Sequence, residues 1–226
     1  MSALDRPVWH SLTTCQASLS EGGALAKRYR RDINLFASTG SDQPESLAAF
    51  AALVSPGESV FVLQVPGIVI PPELRATKTA KGVQMVATRP IHHEPGNEEI
   101  LALTDADAAE MLALAKLTEP GPFLARTHEM GTFIGVRIDG QLAAMAGERM
   151  RLPGYTEISG VCTHPDFRGR GLARMLSAVV AERIQARGEQ PFLHAWKTNQ
   201  PAISLYEQLG FRMRSEVNVA VLARAG

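Results

Sequence analysis

Residues 156–186 constrain the fold most. An alternating run, Thr156-Glu-Ile-Ser-Gly-Val-Cys-Thr163, passes through His164-Pro165 into Arg168-Gly169-Arg170-Gly171-Leu172-Ala173 and then into a long amphipathic stretch. There Leu172, Leu176, Val179, Val180 and Ile184 keep the 3.6-residue spacing of a helix, which Gly188 stops. A strand therefore runs directly into a basic, glycine-rich turn that opens a helix. Such a turn binds anions, because the first N–H groups of a helix lack partners within it and the positive end of its dipole points the same way. Gly169 and Gly171 permit close backbone approach, and Arg168, Arg170 and Arg174 add positive charge, which suits a diphosphate better than one carboxylate. No Gly-Lys-Ser/Thr follows, which excludes a P-loop, and the third glycine of a dinucleotide fingerprint is missing. Gly160 interrupts the alternation of the strand and predicts a bulge or a close ligand approach.

The elements around this unit predict an α+β fold, a mixed twisted sheet flanked by helices. Upstream, residues 100–103 read as a strand, and Thr104 caps a helix with Asp105 and Asp107 in its first turn, ended by Pro120-Gly121-Pro122. Residues 124–130 read as a second short helix. Strands at 132–138 and 142–150 flank the hairpin turn Asp139-Gly140, and Pro153-Gly154 turns into the strand at 156–163. Downstream come a strand at 192–198, a helix at 199–209 stopped by Gly210, and a last strand or strands at 211–222.

Prolines, glycine and polar residues at 88–97 mark a boundary between an N-terminal subdomain, 1–96, and a second domain, 97–226. The first part reads as a small α/β unit. Its helix at 44–54 starts at Pro44 and carries the stripe Leu47, Phe50, Ala51 and Val54; strands follow at 59–65 and 82–88, separated by a Pro/Gly-rich stretch. It contains no recognisable site chemistry.

Composition narrows the function. With 23 Lys and Arg against 23 Asp and Glu, the chain has no long-range field for nucleic acid or an anionic membrane, and a small ligand is the easier partner. Cys15 and Cys162 fit neither a disulfide framework nor a metal spacing, so a reducing, cytoplasmic setting is expected. Asp5, Arg6 and Pro7 stand where a signal peptide needs its apolar segment, and the longest apolar run, 47–54, is far short of a membrane span. Neighbours on a strand point to opposite faces, so His92 and His93 do not form a metal pair, and no metal is expected.

The turn and its flanks resemble the GNAT superfamily of acetyl-CoA-dependent acyltransferases. Arg168, Gly171 and Ala173 meet its signature, Val161-Cys162-Thr163-His164-Pro165 precede it, and Asn199, Ala202, Tyr206, Leu209, Gly210 and Phe211 follow at the family's spacing. The resemblance covers residues 98–222. It implies that backbone groups at Val161 and Thr163, with Cys162 between them, pair with the pantetheine arm of acetyl-CoA. Backbone N–H groups of Arg168, Gly169, Arg170, Gly171, Leu172 and Ala173 would hold its pyrophosphate, with Arg174 beside them and Asn199 contacting the same cofactor. Tyr206 would protonate the departing thiolate, and the N–H of Cys162 or Val161 would face the thioester oxygen. Glu157, or a water it orders, is the first candidate to take the proton of the attacking amine; Glu148 is second, then His128 and Glu129. Cys162 itself reads as a small buried hydrophobe rather than a nucleophile.

The expected activity is transfer of an acetyl group to an amine, of a small molecule or a protein, by direct attack in a ternary complex. A non-catalytic acyl-CoA-binding or regulatory module is the alternative. Residues 1–96, read either as a separate subdomain or as a degenerate half of the same fold, would shape the acceptor cleft or an oligomer contact, with a homodimer left open.

Overall fold

The computed structural model describes residues 2–94 and 98–225. Near the N-terminus, α1 (Pro7–Thr13) has Pro7 in its first turn, and β1 (Ser20–Gly22), β2 (Ala26–Tyr29) and β3 (Ala37–Thr39) form a small antiparallel sheet. Then come α2 (Pro44–Ala52), β4 (Ser59–Gln64) and β5 (Leu74–Ala87). The remainder is β6 (Leu101–Leu103), α3 (Ala108–Thr118), β7 (Phe133–Ile138), β8 (Gln141–Leu152), β9 (Tyr155–Thr163), α4 (Leu172–Ala186), β10 (Gln190–Trp196), α5 (Gln200–Leu209) and β11 (Phe211–Arg224).

The main sheet has eight strands in the order β4-β11-β5-β10-β9-β8-β7-β6. Only β9 and β10 are parallel; every other pair is antiparallel. The expected α+β fold, a mixed sheet flanked by helices, is what the chain adopts. The division expected at residue 96/97 does not separate two sheets: β4 and β5 come from before it and lie on either side of β11, the last strand of the chain.

Local chemistry explains the turns. Asp139 and Gly140 both have positive φ, 51° and 79°, as a two-residue hairpin with the twist of its strands demands. Residues 124–130, expected as a helix, make only a 3-10 turn at Thr127–Met130. There the Thr127 hydroxyl accepts from the Leu124 N–H and donates to the Ile33 carbonyl, so a side chain satisfies backbone groups in place of a helical ladder. Strand β5 begins eight residues before the expected position, because its first half is exposed and polar and carries no apolar alternation.

Helices α4 and α5 pack on one face of the sheet, where Leu176, Val179, Val180 and Ile184 meet Met85, Ile134, Val136 and Leu193. On the opposite face α1 and the N-terminal segments bring Leu4, Val8, Leu12 and Phe36 against Met150, Leu152, Phe192 and Val219. Beside them α3 covers Met145 and Cys162. Burial of these apolar faces drives the assembly.

One feature of the sheet positions the site. Strands β9 and β10 pair only from Tyr155–Gln190 to Glu157–Phe192 and then part, β9 staying with β8 and β10 with β5. A bulge sits in β9 beside the opening: Ser159 pairs with Gly147 and Cys162 with Met145, so one residue of β9 is surplus, and Gly160 takes φ 63°. The bulge expected at Gly160 is present. From Ile158 onward β9 has no strand partner on the β10 side, and its backbone faces a cleft.

Candidate active site

The glycine-rich turn lies at one end of the cleft. Gly169 (φ 78°) and Gly171 (φ 76°) are both left-handed, and Gly171 caps α4. A Cβ on either would meet no atom within 4 Å, so these glycines supply backbone conformation beneath open space. The first N–H groups of α4, at Leu172, Ala173 and Arg174, face the same space without helical partners. Two side chains of the turn are drawn aside: Arg170 stacks 5.3 Å over the Phe167 ring, and Arg174 Nη1 lies 2.9 Å from Gln208 Oε1. A groove of about 460 Å3 runs from Arg168–Arg174 to Val161, Cys162 and Thr163. The structure therefore brings the expected cofactor residues on β9 and on the turn to one groove.

A second cavity, of about 220 Å3, adjoins the first at Thr118 and Val161. Tyr206 and Asn199 line it, together with Ser159 and Gly160. Tyr206 is held by α5 with its ring 5.9 Å from that of Phe211 and is 9% exposed; burial pushes its phenol up to about 12. Asn199 Oδ1 accepts from the Ala202 N–H at 3.2 Å and so caps α5, which leaves its amide NH2 at the cavity. The Cys162 side chain points away, into the cluster with Met111, Leu114 and Phe133, and burial pushes its thiol up to about 12.

Glu157 does not stand where it could take a proton from an acceptor. Its side chain is fully buried, with Oε2 and Oε1 accepting from Arg149 Nε and Nη2 at 2.8 and 2.7 Å, and Oε1 also accepting from His194 Nδ1 at 2.7 Å. Burial alone would raise its pKa, but the charge and hydrogen bonds of Arg149, with those of His194, outweigh it and hold the carboxyl at about 2. A carboxylate so stabilised is a weak base. The other candidates fail on position. Strand alternation turns Glu148 to the face opposite Arg149, where Arg187 holds it at 2.9 Å; His128 meets Asp105 at 3.0 Å, and Glu129 meets Arg126 at 2.7 Å. None of the three lines the cavity.

The pair is part of a longer buried network. Gln84 donates to the Leu4 carbonyl and lies 3.0 Å from His194 Nε2, while its Oε1 accepts from Arg214, which also holds Asp5 at 2.6 Å. The two bonds fix the Gln84 amide so that its NH2 faces His194 Nε2, while His194 Nδ1 is directed at Glu157. Sequence reasoning missed Arg149 and Gln84. The available signal was a charged pair, Glu148-Arg149, that follows the apolar run Leu142–Ala146 in the same strand. His92 and His93 both lie against Glu182 of α4, outside the cleft. Among the described residues no helix is long and apolar enough to cross a membrane.

The chain is similar to known acetyltransferases. The family model described as FR47-like protein matches residues 133–220. The [ribosomal protein bS18]-alanine N-acetyltransferase of Salmonella typhimurium is 33% identical over 116 residues, 50% of this chain and 78% of that one. A solved GNAT-family protein from Novosphingobium aromaticivorans is 40% identical over the whole of both chains, with a TM-score of 0.93. A GCN5-related N-acetyltransferase from Kribbella flavida, 16% identical over 100% of this chain and 97% of that one, shares the fold at a TM-score of 0.66.

Proposed function

Since this chain belongs to the GNAT family of N-acetyltransferases, we propose that it transfers the acetyl group of acetyl-CoA to an amine by direct attack. The observation that carries this reading is the continuity of the two cavities: a glycine-rich anion turn at one end, an unpaired stretch of β9 between, and a buried tyrosine in the wall of the second cavity. Acetyl-CoA is the acyl donor of such enzymes. Open space over Gly169 and Gly171 and the free N–H groups of α4 fit its pyrophosphate, and the unpaired edge of β9 fits its pantetheine arm.

In this reading each residue has a limited task. The backbone at Val161 and Cys162 directs an N–H at the thioester oxygen as charge develops there. The nitrogen of the acceptor forms a bond to the acetyl carbon, and its surplus proton passes to solvent through the open cavity. His194 Nε2 is occupied by Gln84 and Glu157 is a weak base, so the acceptor reacts as the free amine. Tyr206 gives its proton to sulfur as the carbon–sulfur bond breaks, and regains one from solvent. With the phenol raised to about 12, the proton is retained until it is needed. Glu157 and Arg149 support the wall of the cavity rather than reacting.

Phe36, Phe61 and Leu63, from the first part of the chain, line the acceptor side, which supports a role for residues 1–96 in shaping it. The test is thiol release from acetyl-CoA in the presence of an amine panel that includes peptides beginning with alanine. Amine-dependent release supports transfer. Binding of acetyl-CoA without release over a broad panel supports the non-catalytic alternative.

A further inference from the structure

Arg149 has committed only part of its hydrogen-bonding capacity. Its Nε and Nη2 hold the two oxygens of Glu157, and the Phe36 ring covers one face of the guanidinium, 4.9 Å from its central carbon. Nη1 makes no hydrogen bond among the described residues. A guanidinium presents two forks, and Glu157 uses the one along its side, which leaves the end formed by Nη1 and Nη2. That end is not sealed: Arg149 lines the acceptor cavity beside Ser159 and Gly160, and Nη1 lies toward the loop at Gly121, where an added Cβ would be 3.7 Å from it. The carboxylate that lines this cavity, Glu119, is exposed at its rim with a left-handed backbone. No acidic side chain competes for the open fork from inside. The remaining walls include Phe36, Phe61, Leu63, Ile158, Val217 and Val219.

We propose that the acceptor is a free amino acid with an apolar side chain, its carboxylate held by the Nη1 and Nη2 edge of Arg149 and its side chain against Phe36, Phe61 and Val219. The inference rests on the acetyl-transfer reading above. Glu157 and His194 then act as positioning residues: they fix the guanidinium so that its open edge faces the cavity without further ordering. A volume of about 220 Å3 suits an acceptor of this size and lies below the usual range for larger ligands. A carboxylate on a desolvated guanidinium makes a charge-assisted fork, which an amide or a bare amine cannot reproduce.

The test compares matched acceptors on the intact protein. Leucine, methionine, phenylalanine and tryptophan are each assayed beside their carboxamide and the amine lacking the carboxyl group, with acetyl-CoA binding measured in parallel. At least one amino acid should exceed its carboxamide in kcat/KM on the order of 100-fold. The carboxamide is the less basic amine and supplies more free base at neutral pH, so basicity works against this order. Arg149→Lys keeps a cation opposite Glu157 and loses the fork, and should bring acid and carboxamide to within about threefold. Equal use of acid and carboxamide by the wild type overturns the proposal, and this comparison stands even where the variant fails to fold. So does a preference that survives Arg149→Lys. Acetyl-CoA binding with no turnover of any acceptor also overturns it and leaves the donor site standing, whereas absence of acetyl-CoA binding overturns the reading beneath it.

Discussion

Arg149 and Glu157 face each other across β8 and β9 in a two-point ion pair, 2.8 and 2.7 Å, with the carboxylate wholly removed from solvent. Removing one partner leaves the other charge buried. Glu157→Gln should therefore destabilise the protein by about 3–5 kcal/mol, read by urea unfolding at pH 7. Equal stability of wild type and variant would mean that the pair is not formed as described.

The same pair sets an acid limit. The Glu157 carboxyl is held at about 2 in the folded protein against 4.5 for an ordinary glutamate, so its contribution is complete above about pH 4.5 and is lost as pH falls toward 2. A shift of that size corresponds to about 3 kcal/mol. Unfolding free energies measured from pH 6 to pH 3 should fall more steeply for the wild type than for Glu157→Gln. Parallel curves would contradict the assignment.

Tyr206→Phe removes the proton proposed for the leaving sulfur while keeping the ring against Phe211. Turnover should fall about 100-fold with the acetyl-CoA Kd within about twofold of wild type. Because the phenol titrates at about 12, wild-type kcat should show no alkaline decline up to about pH 10. An unchanged rate in the variant would remove Tyr206 from the chemistry.

The two cysteines should separate under alkylation. Cys15 is exposed, whereas Cys162 is buried with its thiol pushed up to about 12. At pH 8 mass spectrometry should find one adduct, on Cys15, with Cys162 modified only after unfolding. Rapid labelling of Cys162 in the folded protein would show that this part of β9 opens.

How much of this was legible in the sequence follows from where each signal resides. The glycine-rich turn that opens α4 was readable because glycines at 169 and 171, three arginines and a helical apolar stripe are local properties. So was the Gly160 bulge, which a positive φ of 63° now explains. The membership of β4 and β5 in the main sheet was not, since the partners of β5, β10 and β11, lie more than a hundred residues away and the exposed half of β5 shows no periodicity. Glu157 was read from its place on β9 as the first candidate base; that Arg149 and His194 hold it instead depends on contacts which only the folded sheet makes.

A donor site for acetyl-CoA at the glycine-rich turn is tested by calorimetric titration of acetyl-CoA into the wild type and into Gly171→Glu. The substitution puts a carboxylate over the turn, and at φ 76° it also strains the backbone there, so circular dichroism must first show the variant folded. The wild type should bind at roughly micromolar Kd, and the variant at least about 100-fold more weakly through anionic repulsion at the diphosphate site. Binding that is equal in both proteins, or absent from the folded wild type, would contradict a donor site at the turn.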